Sequence, residues 1–147
     1  LYTIWKRTAA PPGMTLFDMP SREVCTVRRS RTNTPLQALA LMNDVTYVEA
    51  ARKFAERMMG KGETPEAWLR WGWRCATARE ATTAELEVLL AGYGRRLKAY
   101  QADPAAAAAL LEAGESPTSE GIDPATLAAL TTAASVILNL DEVVTKG

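Results

Sequence analysis

Thr82–Pro104 reads TTAELEVLLAGYGRRLKAYQADP. Thr82 with Glu85 three residues later has the form of a capping box, in which hydroxyl and carboxylate each satisfy a free backbone N–H at a helix start. Behind it, Leu86, Leu89, Leu90, Tyr93, Leu97 and Tyr100 recur on one side at helical spacing. The stretch predicts an amphipathic helix from about Thr83 to Gln101. At its end Asp103-Pro104 opens another: the Asp oxygen accepts from unpaired N–H groups, and proline at the first helical position gives up no needed donor.

The same punctuation recurs along the chain. Thr34-Pro35, Thr64-Pro65 and Asp123-Pro124 repeat the cap-proline pair, and Thr46-x-x-Glu49 reads as a second capping box. Apolar stripes follow these signals: Tyr47, Ala51, Phe54 and Met58; Trp68, Trp71, Cys75 and Ala78, with Leu69 and Trp73 beside them; Leu127, Leu130, Ala134 and Ile137. Ala105–Leu111 is alanine-rich and strongly helix-favouring. The only extended candidate is a short piece near Cys25–Val27. The expected fold is all-α, a compact bundle of about five or six helices, with 1–34 as an irregular arginine-rich lead-in and 35–147 as the helical body of a single domain. Ala9–Ser21, with its Pro-Pro-Gly, reads as non-helical loop, Gly60 as a left-handed helix cap, and Gly114–Gly121 as a polar turn or longer exposed loop.

A chain of 147 residues buries roughly two thirds of its unfolded surface, so a core needs neither disulfide nor metal. Histidine is absent, which removes the commonest general base and transition-metal ligand and excludes Ser-His-Asp and Cys-His arrangements within the chain. C-x-x-C-H haem attachment is excluded because Cys25 and Cys75 stand apart, and two cysteines are too few for a structural zinc site. The two could form one disulfide. No run is long and apolar enough to span a membrane. Beginning at Leu1 without Met, the chain reads as a piece cut from a longer protein or processed from one, so the lack of a signal peptide says nothing of compartment.

The net charge of zero is unevenly spread. Residues 1–60 carry 9 basic against 5 acidic groups, +4, and residues 61–147 carry 8 against 12, −4. The basic excess gathers in Ser21–Asp44, SREVCTVRRSRTNTPLQALALMND. Arginine grips carboxylate, phosphate or sulfate with paired hydrogen bonds, and the helix start at Thr34 adds free N–H groups. Arg22, Arg28, Arg29, Arg31, Asn33 and Asn43 are therefore anion-binding candidates. The competing reading pairs the arginines with Glu112, Asp141 or Glu142 of the acidic half. Zero net charge argues against nucleic acid as a partner. Glu23 and Asp44 could form an acid pair, or simply pair with arginine and cap a helix. Cys25 has electropositive neighbours but no histidine base. Trp68, Trp71 and Trp73 fit a core or a domain interface better than a sugar platform, and Met58 and Met59 fit gap-filling better than haem ligation.

The run SREVCTVRRSRTNTPLQALALMND, the lead-in LYTIWKRTAAPPGMTLFDMPS and the ending GESPTSEGIDPATLAALTTAASVILNLDEVVTKG together resemble the C-terminal domain of unknown function of planctomycete cytochrome-c-type multidomain surface proteins. Ala78-Arg79-Glu80 departs from that pattern, where something nearer Thr-Gly-Arg is expected. The resemblance implies an extracytoplasmic setting, haem only in another domain, other domains of the same polypeptide as partners, and an association with anionic polysaccharide. It supplies no catalytic residues. Two functions fit these expectations: a non-catalytic module docking on neighbouring domains, or an anion-binding part of a polysaccharide-processing enzyme.

Overall fold

A computed structural model describes residues 10–20, 23–28, 30, 32–119 and 121–145. Among them the chain forms helices and no strand: α1 (Pro12–Leu16), α2 (Pro35–Asn43), α3 (Val45–Met59), α4 (Pro65–Thr77), α5 (Thr83–Ala102), α6 (Pro104–Leu111), α7 (Pro124–Leu138) and α8 (Asp141–Val144). The six with eight or more residues are the expected bundle, and α1 and α8 are single short turns. The α1 turn corrects the reading of Ala9–Ser21 as wholly non-helical: Pro12 sits in its first turn, where proline is tolerated, and Met14 and Thr15 N–H both reach the Pro11 carbonyl. The extended piece near Cys25–Val27 does not form.

The caps act much as the residues imply. Thr34, Thr64, Thr82, Asp103 and Asp123 each accept a hydrogen bond from a first-turn N–H, and Thr82 with Glu85 closes the box reciprocally. Thr46-x-x-Glu49 is not a box. Asp44 takes the cap instead, accepting from Thr46 N at 2.9 Å, and Glu49 turns away to Ser116. Gly60 is not left-handed (φ −72°), whereas α4 ends on Ala78 at φ 60°.

The core is built around α7. Leu127, Ala128, Ala129, Leu130, Ala134 and Ile137 are all fully buried, so this helix is enclosed on most sides. It packs chiefly against α3, α5 and α6, with lesser contacts to α4, α2 and α8. From α5 it receives Leu86, Leu89 and Tyr93, and from α3 Ala51, Ala55 and Met58. Each large apolar side chain so buried contributes on the order of 1.5–3 kcal/mol. The buried face of α4 is Leu69, Gly72, Trp73 and Ala76, one position round from the stripe containing Trp68, Trp71, Cys75 and Ala78. Gly72 explains the register: a Cβ there would lie 2.6 Å from Met58 Cε, so bare backbone lets the fully buried Met58 seat against α4.

Candidate functional site

Arg22, Arg29 and Arg31 lie outside the described residues; Arg28 is exposed. Asn33 donates from Nδ2 to the Asp141 carboxylate of α8, which joins the basic lead to the acidic end. Asn43 donates to Leu39 O at 2.8 Å, back along its own helix. Of the described members of the proposed anion site, Asn33 and Asn43 thus bond to Asp141 and Leu39. Glu142, offered as a partner for the lead arginines, is taken by Arg79.

What holds the lead on the body is Gln37, a residue the charge argument passed over. It is 1% exposed. Its Oε1 accepts from Thr34 N at 2.9 Å, and its Nε2 donates to Leu16 O at 2.7 Å and to Thr32 Oγ1 at 3.1 Å. Thr32 in turn bonds both Asp18 carboxylate oxygens. Buried polar groups need partners, and every polar atom of this amide has one. The consequence is an inverted helix. α2 buries its glutamine while Leu36 stays 61% exposed and Leu39 58%; Met42 and the adjoining Val45 of α3 continue the apolar patch.

Of the tryptophans, Trp73 is 4% exposed and belongs to the core, which removes it from the domain-interface candidates. Trp68 is half-buried and donates from Nε1 to Gly62 O at 2.7 Å. Trp71 lies against Phe54 with Arg57 and Lys61 over its ring. Cys25 and Cys75 are free, exposed thiols, so the possible disulfide does not form: one lies in the lead, the other on the outward side of α4. Asp44 is committed to its cap, and Glu23 is exposed on the lead.

Two polar assemblies were not legible beforehand. Arg79 stacks over the Trp73 ring at 4.9 Å and bonds both Glu85 and Glu142, fastening the α4–α5 turn to α8. The Arg79 guanidinium, helped by the Thr82 N–H, holds the Glu85 carboxyl down at about 2. On α3, Arg52 is 1% exposed and donates to the carbonyls of Ser116 (2.7 Å) and Ala113 (3.4 Å), to Thr118 Oγ1 and to Glu56. Glu49 accepts from Ser116 N, and Glu56 accepts from Ser119. The segment 113–119, mostly within the polar turn or longer exposed loop expected at Gly114–Gly121, is thus clamped along one polar side of α3. Apart from Arg52 Nε, which is buried without a partner, these groups are taken up by one another and by backbone, which marks them as structural. Among the described residues no group of three or more His, Cys, Asp or Glu could hold a metal ion, and no helix is long and apolar enough to cross a membrane.

A family described as "Protein of unknown function (DUF1553)", PSD1, matches residues 1–93. The match stops at Tyr93, in the middle of α5, and leaves out the whole of α7. No curated protein and no solved structure matches the chain.

Proposed function

We propose, from the premise that this chain belongs to the PSD1 (DUF1553) family of proteins of unknown function, that it is a non-catalytic helical module docking on a neighbouring domain of a larger extracytoplasmic, cytochrome-c-associated protein of planctomycete type. The observation that supports this reading is the inversion of α2. A helix that hides Gln37 and presents Leu36 and Leu39 has its apolar side turned away from its own core. Met42, 46% exposed, and Val45, 58% exposed, extend that side across the α2–α3 junction. Single exposed leucines are ordinary, but a run along one element marks an interaction surface. The docking surface thus moves from the tryptophan helix, where Trp73 is core, to α2.

The test is titration of the 147-residue chain with the remainder of the larger protein, followed by calorimetry. The reading expects a complex that Leu36→Asp combined with Leu39→Asp weakens by about a hundredfold, as loss of two buried apolar anchors implies. Helicity and thermal midpoint should stay at wild-type values, because neither leucine contributes to the core. Equal affinity in the double variant, or turnover of a substrate by the isolated chain, overturns it.

A further inference from the structure

We infer a binding site for a small organic anion between α5 and α7, a place distinct from the arginine-rich lead. Two hollows adjoin there, of about 410 and 350 Å³, and share Arg96, Thr132 and Val136 as lining. Volumes of this order are those of small-molecule sites. The first is apolar, walled by Val88, Leu89, Tyr93 and Val136, with Arg95 and Arg96 at its edge. Val88 is 69% exposed and Val136 40%, so the fold leaves this floor open. The second sets Asn43, Arg96, Tyr100, Thr131, Thr132 and Ser135 among apolar residues.

The second hollow is rich in donors. Thr132 spends its hydroxyl hydrogen on Ala128 O at 3.0 Å, so at its 3.3 Å contact with Tyr100 the phenol donates. Ser135 has no side-chain hydrogen bond among the described residues, and Asn43 uses one N–H of its amide on Leu39, leaving the other. Thr131, 2% exposed, has a hydroxyl with no partner in the fold. Arg95 and Arg96 form no ion pair among the described residues, and no carboxylate lines either hollow. One cation shared by a donor-rich hollow and an apolar one fits a ligand with an oxyanion head and a short apolar body. The head would sit at Arg96 and Ser135, and the body over Val88 and Val136.

The experiment is an amide NMR titration of the whole chain with 4-phenylbutyrate, alongside 4-phenyl-1-butanol and sodium sulfate. Saturable shifts centred on Gly92, Arg96, Thr132 and Ser135 are expected with the acid, and about tenfold or more weaker binding with either control, because each lacks half of the recognition. Arg96→Gln should weaken the acid by a similar factor; Arg96 is exposed, so the fold does not depend on it. Gly92→Leu is a second variant: a Cβ there meets only Arg95 at 3.9 Å, so leucine fills the apolar hollow while favouring the helix, and it should abolish binding without loss of stability. Absence of saturable shifts at about 10 mM, shifts centred elsewhere, equal binding of the alcohol or of sulfate, or an unchanged Arg96→Gln titration overturns the inference.

Discussion

Replacing Ala78 by glycine should make the protein more stable, against the usual expectation for glycine near a helix. Ala78 ends α4 at φ 60°, ψ 15°, with its N–H on Arg74 O at 3.0 Å. An L-residue held there carries roughly 1–2 kcal/mol of steric cost from its Cβ against backbone. Glycine removes that cost but adds about 0.5–1 kcal/mol of unfolded-chain freedom. The net is a gain of about 0.5–1 kcal/mol. For a chain of this size that corresponds to a rise of roughly 1–4 °C in thermal midpoint. Ala78 is exposed, so no packing is lost. The assay is thermal and urea unfolding followed by circular dichroism, with Ala78→Val as the opposite arm, since a branched side chain raises the left-handed cost further. Gly94→Ala calibrates the scale: it lies inside α5 with nothing within 4 Å of a new Cβ, and should gain about 0.8–1 kcal/mol from helix propensity alone. If Ala78→Gly lowers stability while Gly94→Ala raises it, α4 does not end in a left-handed turn and the reasoning fails.

Three further outcomes follow from the polar assemblies. Arg52→Met should cost about 3 kcal/mol in urea unfolding and open 113–119 to limited proteolysis, because the charged donors to the Ser116 and Ala113 carbonyls go; a loss under about 1 kcal/mol would mean only the aliphatic stem matters. Gly114→Ala should cost about 2 kcal/mol or more, since Gly114 sits at φ +94° and its new Cβ would meet the Glu49 carboxylate; a neutral outcome in the same assay would refute the clamp. The Glu85 carboxyl lies at about 2 against an ordinary 4.5, held there first by Arg79. The unfolded chain therefore takes up the proton first. Stability from this contact is complete above about 4.5 and is lost as pH falls towards about 2, so Glu85→Gln should flatten the acid limb of a stability–pH curve, and an unchanged limb counts against the contact.

Local chemistry was readable and distant partnership was not. The caps at Thr34, Thr64, Thr82, Asp103 and Asp123 involve atoms three residues apart, so the chain states them directly. The capping box at Thr46 failed because Asp44, two residues earlier, competes for the same N–H with a charged oxygen. The α4 stripe in the sequence lies one position off the buried face because Gly72, which sets the contact with Met58, has no hydropathy to count. The inversion of α2 broke the pattern rule itself: Gln37 is buried because atoms of Leu16 and Thr32 satisfy it. Arg79 reaches Glu142, 63 residues on, and Arg52 reaches Ser116, 64 residues on; no spacing announces such pairs. The organic-anion site draws on Asn43, Arg96 and Ser135, which come together only when α2, α5 and α7 pack.

Because α7 begins at Pro124 and supplies the common surface for α3, α5 and α6, the ribosome must pass α7 before those helices have anything to close upon. During synthesis α3 to α6 would emerge as paired but unsealed segments, their alanine and leucine faces open to chaperones or to one another, until α7 arrives. Truncation upstream of Leu138 should therefore act all at once rather than by degrees, and the 1–93 portion that carries the family pattern should not hold its shape alone.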